Sequence, residues 1–205
     1  MSPIYIKGER SNSANYRPIA LTCSLCKTLE HIVASSITKH LSKLNIFYEL
    51  QHDFREKRSC ESQLLMLVDD LFKSVYKKKQ TDLILLDFSK AFDKVSDKKL
   101  ALKLHDYGIR GPALKWVKDF LDNRQQSVIV NGSSSEPIPV SSGVPQASVL
   151  GPFLFLIYIN DLPMNVKSKV RLFADDAALY LTISTSSQSE IFQKDLDNLE
   201  RWSHK

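Results

Sequence analysis

Three aspartates stand where apolar, strand-like segments end, and they are the first candidates for chemistry. Asp87 follows the apolar run 83–86, and Asp175 with Asp176 lies between two further apolar segments. A charge at the end of a buried strand is unfavourable unless something pairs with it. A divalent cation meets that need, because Mg²⁺ takes oxygen ligands and is held by few carboxylates together with substrate phosphates. Two such ions can activate an attacking hydroxyl and stabilise a departing pyrophosphate.

The spacing of these aspartates leaves a second interpretation open. Asp175 and Asp176 can form a polar hairpin turn, and Asp87 can simply terminate a strand. Spacing alone does not place Asp87 beside Asp175. The choice between a metal site and a structural turn therefore needs further information.

The elements that must position these residues follow from hydrophobic periodicity. Apolar residues at helical spacing predict helices, which end at capping residues, glycine or a basic last turn. Asp97 is predicted to cap the third helix, and Pro112 fits the first turn of the fourth. The predicted helices cover 25–44, 64–75, 97–104, 112–121, 148–161 and 191–202.

Short apolar runs bounded by turn residues predict the strands. One strand covers 83–86, and a tight turn carrying both Asp175 and Asp176 joins 170–173 to 179–183. A turn at Asn131–Gly132 predicts a hairpin between 128–130 and 138–140. Helices precede and separate these strands, an order that predicts an α+β fold with helices packed on one face of an antiparallel sheet.

Composition narrows the class of protein. The chain has 205 residues, 43% of them hydrophobic and 25% charged, as in an ordinary globular domain. No apolar stretch is long enough to span a bilayer or to form a signal peptide, so membrane and secreted proteins are excluded. The net charge of +5 is compatible with a polyanionic partner.

The cysteines carry a separate prediction. Three cysteines favour a reducing compartment, and the helical position of Cys23 and Cys26 favours packing of their side chains over a zinc site.

Five sequence motifs resemble those of non-LTR retrotransposon (LINE-type) reverse transcriptases. Together they extend from about 15 to 202 in the order that the family has. The resemblance implies a fingers-palm fragment of a right-hand polymerase. The motifs are NYRPI at 15–19, QHDFREKRSCESQLL at 51–65, LDFSKAFDKV at 86–95, SGVPQASVLGPFLFLIYINDLP at 142–163 and FADDAALY at 173–180.

The resemblance also implies a domain organisation. Residues 1–14 are expected to be a poorly anchored N-terminus, and 15–205 to be the reverse transcriptase domain. Within it, 15–80 would form the fingers and 81–205 the palm, with part of the fingers interleaved into the second segment as an alternative. The palm sheet would be ferredoxin-like and antiparallel, with helices on one face. The chain stops soon after the last motif, so the thumb is expected to be missing.

The family's metal ligands match the three aspartates found above. Asp87 resembles the first ligand, with the backbone carbonyl of Phe88 beside it, and Asp175 with Asp176 resembles the acidic pair. The resemblance thus implies two Mg²⁺ ions, with Mn²⁺ as an alternative ion, and catalytic roles for Asp87, Asp175 and Asp176.

Further residues match the family's nucleotide-binding positions. Phe92 resembles the steric gate that selects deoxynucleotides, with a core aromatic beside Ala91 as the alternative, and either role would keep it buried. Gln146 and Ala147 match the loop beside the incoming nucleotide. Arg55 and Arg58 resemble the fingers cations that meet the triphosphate or template, with a plain surface charge as the alternative for Arg58.

The implied reaction is RNA-templated addition of a deoxynucleotide to a primer 3′-hydroxyl. Its partners would be an RNA template, a DNA primer and deoxynucleoside triphosphates, with no membrane. An intracellular location is expected, and the family implies the nucleus.

Two positions depart from the family pattern. Asp53 stands where relatives usually have Gly, and Ala147 stands where Pro-Gln-Gly is usual. An acidic side chain at 53 could oppose a triphosphate, and a positive φ there would add strain. The extra methyl at 147 could weaken close approach to the nucleotide. These changes keep an alternative open, a catalytically silent remnant that only binds nucleic acid or protein.

Overall fold

The structure is a computed structural model that describes residues 1–204, and it is mixed helix and strand. Short 3₁₀ helices connect some of the elements. The α-helices are α1 Ser24–Lys43, α2 Cys60–Tyr76, α3 Asp97–Asp106, α4 Gly111–Leu121, α5 Leu150–Ile159 and α6 Ser186–Ser203. The strands are β1 Ser2–Tyr5, β2 Tyr16–Ile19, β3 Gln80–Asp87, β4 Gln125–Gln126, β5 Ile129–Val130, β6 Ser133–Ser134, β7 Ile138–Pro139, β8 Lys169–Phe173 and β9 Asp176–Ile183.

The periodicity located all six described helices, with differences at their ends. The N-cap of α3 is Ser96, whose hydroxyl accepts the Lys99 N–H, so the prediction that Asp97 is the cap is wrong. A serine oxygen reaches the free amides of the first turn from the residue before the helix, which leaves Asp97 as the first helical residue. Pro112 lies in the first turn of α4 as predicted.

The prediction of a hairpin around Asn131–Gly132 is right about the turn and wrong about the strand that pairs across it. Asn131 and Gly132 have φ values of 50° and 81°, and β5 pairs with β6 directly across them. A two-residue turn with both central residues left-handed joins strands that flank it immediately. β7 therefore lies outside this hairpin, and it pairs with β4 instead.

The chain divides into two compact units. The first unit comprises residues 1–46 and 90–158, and the second comprises 47–89 and 159–204. The predicted boundary at 80/81 thus lies inside the second unit. The first residues are better anchored than expected, because β1 pairs with β2 and the Met1 amino group donates to the Ser127 carbonyl at 2.7 Å.

In the second unit, a three-stranded antiparallel sheet has the order β3-β9-β8. Tyr180 and Arg171 lie on one face of this sheet and hydrogen-bond to Asp70 of α2. Leu86 lies on the other face, where it lines a pocket together with Leu196 of α6. Helices therefore cover both faces, and the prediction of helices on one face only is wrong.

Burial is uneven among the helices. Helix α5 is apolar all round and almost wholly buried, as such a helix must be. By contrast, Leu25 of α1 and Phe72 of α2 belong to predicted apolar stripes and are 83% and 68% exposed. In residues 1–204 we find no helix with the length and apolar character needed to cross a bilayer.

Candidate functional site

The predicted site residues fall on both compact units. Phe92, Gln146 and Ala147 belong to the first unit. The second unit holds the predicted metal ligands and fingers cations, namely Arg55, Arg58, Asp87, Phe88, Asp175 and Asp176.

Strand register brings two of the aspartates together in the second unit. Asp87, the last residue of β3, lies directly opposite Asp176, the first residue of β9. Directly opposed residues of antiparallel strands point to the same face, with Cβ atoms about 5 Å apart. Both side chains are exposed. A pair of carboxylates so placed repels itself unless a cation lies nearby.

The third aspartate lies in the tight turn between β8 and β9. This acidic turn (residues 173–176) has Phe173 paired with Asp176 and only Ala174 and Asp175 between them. The prediction that both aspartates form the turn is therefore partly wrong, because Asp176 already belongs to the strand. Ala174 has a φ of 49°, which an alanine adopts only where the surrounding structure holds it.

The donor chemistry of this edge suits Mg²⁺, since carboxylate oxygens are its preferred protein ligands. Within residues 1–204, however, no group of three His, Cys, Asp or Glu side chains is close enough together to hold a metal ion. Asp87 and Asp176 are paired, and the third carboxylate is not gathered with them. The Phe88 ring packs edge-to-face on Trp202 at a centroid distance of 6.1 Å, and its carbonyl stays a predicted ligand.

Asp53 adds a further negative charge to this region. Burial raises the pKa of the Asp53 carboxyl, and the negative charges of Asp175 and Asp176 raise it further. Asp53 therefore lies within electrostatic range of the acidic pair. The expected backbone strain is not at this residue, because the positive φ of 48° belongs to Phe54.

The predicted fingers cations are bound to their own loop. The Arg55 guanidinium donates to the Tyr48 carbonyl at 3.2 Å and lies 4.8 Å above the centre of the Phe47 ring. Burial lowers the pKa of Arg55, and the charge of Arg58 adds to this effect. Arg58 donates to the Glu49 carbonyl. Both arginines are half-buried, so a ligand would meet them only in part.

A buried ionic network on one face of the sheet escaped the sequence analysis. Arg171, 5% exposed, donates to an Asp70 carboxylate oxygen at 2.6 Å, and the Tyr180 hydroxyl donates to the same oxygen at 2.5 Å. Burial alone would raise the pKa of Asp70, but hydrogen bonds from Tyr180, Arg171 and Lys169 lower it to about 2. The FADDAALY motif contains Tyr180, yet nothing local in the sequence pairs it with α2.

In the first unit, the Phe92 side chain packs against a core aromatic residue. Its ring stacks on Phe155 with centroids 4.4 Å apart and an interplanar angle of 18°. Phe155 is 3% exposed, whereas Phe92 is half-buried. This packing accords with a core aromatic, and one accessible part of the ring remains for the predicted steric gate.

The Gln146 loop (residues 142–149) is held closely against the segment that carries Phe92. The Gln146 side-chain amide donates to Asp93 Oδ1 at 2.9 Å, and the Val144 N–H donates to the Phe92 carbonyl at 2.8 Å. A Cβ at Gly143 would lie 2.7 Å from Asp93 Cα, so only glycine allows this approach. Ala147 has a φ of 65°, so this position, where the family resemblance implies Gly, adopts a backbone conformation that favours glycine.

A buried glutamate supports the far end of the same loop. Glu30 of α1 is 2% exposed, and its Oε2 accepts the N–H groups of Val149 and Leu150 at 2.8 and 3.0 Å. These amides lie at the start of α5, where a negative charge also suits the helix dipole. The LEHIV segment gave no sequence signal for this role.

The Cys23–Cys26 pair differs from its prediction. Both thiols are exposed, so they do not pack in a core. Cys23 instead caps α1, since its Sγ accepts the Cys26 N–H at 3.3 Å. No third ligand joins them to form a metal site in the part of the chain that the structure describes.

Comparison with known proteins gives matches over most of the chain. Residues 7–205 match the family described as reverse transcriptase (RNA-dependent DNA polymerase). The chain is 33% identical over 178 residues to a probable RNA-directed DNA polymerase from transposon X-element of Drosophila melanogaster, covering 84% of this chain and 19% of that protein. It is 30% identical over 202 residues to the RNA-directed DNA polymerase from mobile element jockey of Drosophila funebris, covering 93% and 22%. The chain thus spans about a fifth of these curated relatives.

A solved structure is similar in fold. The telomerase of Candida albicans, solved in complex with a fragment of telomeric RNA, superposes with a TM-score of 0.61 at 14% sequence identity. The match covers 84% of this chain and 32% of that protein. At this identity the similarity concerns the fold alone.

Proposed function

The chain belongs to the reverse transcriptase (RNA-dependent DNA polymerase) family, and from this premise we propose that it is the RNA-directed DNA polymerase domain of a non-LTR retrotransposon. The expected resemblance to LINE-type enzymes is confirmed by the relatives from transposon X-element and mobile element jockey. The single observation that carries the proposal is the register that sets Asp87 opposite Asp176. Two carboxylates on one exposed edge are what a phosphoryl transfer site needs to hold cations.

The proposed roles follow the chemistry of each side chain. Asp87, Asp175 and Asp176 are the proposed ligands of two Mg²⁺ ions, with the Phe88 carbonyl as a further ligand. Asp175 would have to approach the Asp87–Asp176 pair as the ions bind, because the three carboxylates are not gathered without them. Bound there, the ions would lower the pKa of the primer hydroxyl and neutralise charge on the departing pyrophosphate. Arg55 and Arg58 would face the triphosphate, as positive charges near transferring phosphates do.

We propose nucleotide-binding roles for three residues of the first unit as well. Phe92 would crowd the sugar 2′ position and so favour deoxynucleotides. Gln146 and Ala147 would border the incoming nucleotide, with the Gln146 amide oriented by Asp93. In this arrangement the chain's work is positioning and charge neutralisation, which accounts for most of the catalysis of phosphoryl transfer.

The proposed partners are an RNA template, a DNA primer and deoxynucleoside triphosphates. The duplex would be held through phosphates and 2′-hydroxyls, which requires no reading of base sequence. The fingers and palm assignments, and a nuclear location where genomic DNA supplies the primer, belong to the same proposal.

Primer extension on an RNA template with deoxynucleotides and Mg²⁺ tests this function. Asp176→Asn keeps the shape of the side chain and removes its charge, and we expect incorporation to fall by roughly a hundred-fold or more. Asp119→Asn is the matched control, an exposed aspartate of α4, and should leave the rate unchanged. Equal rates for the wild type and Asp176→Asn, in folded protein, would overturn the proposed role.

A second candidate function is a catalytically silent module that binds nucleic acid or protein. Asp53 favours it, because its carboxylate adds negative charge within range of Asp175 and Asp176, where a triphosphate would bind. If the wild type is silent and Asp53→Asn incorporates nucleotides, the charge at 53 is the cause. If both incorporate, the silent module is excluded, and we then expect Asp53→Asn to lower the KM for deoxynucleotide a few-fold.

A further inference from the structure

The strand β8 forms an edge of its sheet, and the segment around Gln51 covers that edge. Gln51 and Leu172 form a parallel bridge, with the His52 N–H donating to the Leu172 carbonyl at 3.1 Å. The Leu172 N–H donates in turn to the Leu50 carbonyl at 3.0 Å. The Gln63 side chain of α2 donates to both carbonyls, each at 2.8 Å. The loop that leads to Arg55 is therefore tied to the strand that leads to the acidic turn.

The side chain of Gln51 makes a second connection between the same two segments. Its Oε1 accepts the Asp53 N–H at 2.9 Å and the Ala174 N–H at 3.3 Å. Gln51 is 2% exposed and Ala174 is 5% exposed, so water does not compete for the Ala174 N–H, whereas Asp53 is half-buried. Ala174 is the residue with a φ of 49° in the acidic turn, a conformation that needs support from outside. One amide oxygen thus binds the loop and the strained turn together.

The nitrogen of the same amide differs from its oxygen. Gln51 Nε2 is buried and has no hydrogen-bond partner among residues 1–204. Leaving a buried donor unsatisfied is unfavourable, and a hydrocarbon side chain of the same length would avoid that penalty. It would also leave the Asp53 and Ala174 N–H groups without their acceptor, so the amide is accounted for by the two hydrogen bonds that Oε1 accepts.

We infer that Gln51 is a positioning residue that sets the acidic turn relative to the loop carrying Asp53 and Arg55. Through Ala174 it orients the backbone from which Asp175 projects, and through Asp53 it fixes the start of the Arg55 loop. The consequence for catalysis rests on the proposed function, but the contact itself does not. Its loss should move the carboxylate relative to the cation-bearing loop while leaving the ladder between β3 and β9 intact.

Gln51→Met tests the contact, because methionine has nearly the same length and neither accepts nor donates strongly. We expect the protection of the Ala174 amide from hydrogen exchange, measured by NMR, to fall at least ten-fold. Gln51→Glu keeps an acceptor oxygen at the same distance and should retain much of that protection. Gln125→Met, the same change at an exposed residue of β4, is the matched control. Unchanged Ala174 protection in Gln51→Met would overturn the inference.

Primer extension tests the consequence separately. In Gln51→Met we expect kcat to fall about ten-fold or more because the turn that carries Asp175 is displaced, with a smaller rise in the KM for deoxynucleotide because only the start of the Arg55 loop is released. Loss of Ala174 protection with an unchanged kcat would overturn the positioning role. If the wild type itself is inactive, the proposed polymerase function fails, and the exchange experiment still decides whether Gln51 orders the turn. Should Gln51→Met not fold, Gln51→Glu decides the same question: a carboxylate is a stronger acceptor than an amide, so the amide-proton resonances of Asp53 and Ala174 should both shift downfield, and unshifted resonances would overturn the inference.

Discussion

The acidic turn of the second unit and the Gln146 loop of the first are held in place by different kinds of contact. Asp87 and Asp176 are placed by the backbone ladder between β3 and β9, in which eight residue pairs keep register. Within the described residues, the Gln146 loop has isolated backbone hydrogen bonds, such as that from the Val144 N–H to the Phe92 carbonyl, in place of a ladder. Side-chain carboxylates hold its middle and far end, with Asp93 at Gln146 and Glu30 at Val149 and Leu150.

In the second unit, the backbone ladder places the aspartates, and their side chains supply only the charge. In the first unit, the carboxylate side chains themselves help to hold the loop in place. Replacing an aspartate side chain at the sheet edge removes a charge but leaves the ladder, so structure persists while function is lost. Replacing a carboxylate that supports the Gln146 loop leaves buried amides unpaired, which lowers stability as well. Stability measurements on matched variants therefore test the comparison directly.

The largest effect on stability is expected at Glu30. Glu30→Leu removes the acceptor of two amides at the start of α5 and should lower the free energy of unfolding by about 3 kcal/mol or more. Urea denaturation measures the change, with Glu190→Leu, an exposed residue of α6, as the control. A loss below about 1 kcal/mol would mean that the loop does not depend on this carboxylate.

The second effect concerns the ionic network that supports the sheet. The pKa of Asp70 lies at about 2, below its ordinary value of 3.8, so the network stabilises the fold above pH 4 and loses this contribution as the pH falls towards 2. Asp70→Asn should lower the free energy of unfolding at pH 7 by about 1 to 2 kcal/mol, allowing for partial exposure of the carboxylate. It should also flatten the acid side of the stability profile.

Chemical denaturation between pH 2 and pH 7 measures this profile. Asp69→Asn serves as the control, since its ion pair with Lys73 is largely exposed and should contribute little. If Asp70→Asn and the wild type lose stability in parallel below pH 4, the network does not act through this carboxylate.

A smaller effect is expected from the contact between Asp93 and Gln146. In a double-mutant cycle of Asp93→Ala and Gln146→Ala, we expect a coupling energy of about 1 kcal/mol, as for a partly exposed hydrogen bond to a charged group. The same cycle between Asp93→Ala and Gln125→Ala should be additive. Additivity in both cycles would show that Asp93 does not orient the Gln146 amide.

The smallest effect is expected at Ala147, whose φ of 65° is unfavourable for a residue with a Cβ. Ala147→Gly removes about 1 kcal/mol of backbone strain but adds freedom to the unfolded chain, so thermal unfolding should show a net gain of about 0.5 kcal/mol. Ala113→Gly, in the regular helix α4, should instead destabilise by about 0.5 to 1 kcal/mol. The same sign for both variants would contradict the strain at 147.

Local patterns in the sequence predicted where helices and turns occur, but not which of their residues are buried or which strands pair. Helical spacing located α1 and α2, but it did not reveal that Leu25 and Phe72 lie at the surface. Periodicity shows that one side of a helix is apolar, whereas burial depends on what packs against it. In the same way, the Asn131–Gly132 turn was evident while the partner strand was not, because pairing is settled by tertiary contacts.

For the candidate site, the sequence by itself determined the residue types, since three aspartates at strand ends and five ordered motifs identified the family. Only the tertiary structure decided the register of Asp87 with Asp176, the hydrogen bond from Ala174 to Gln51, and the ion pair of Arg171 with Asp70. Asp87 and Asp176 are 89 positions apart in the sequence (176 − 87), and the other two contacts join residues 123 and 101 positions apart. Local propensity acts over a few neighbours along the chain, whereas contacts at such separations form only once the whole unit has packed.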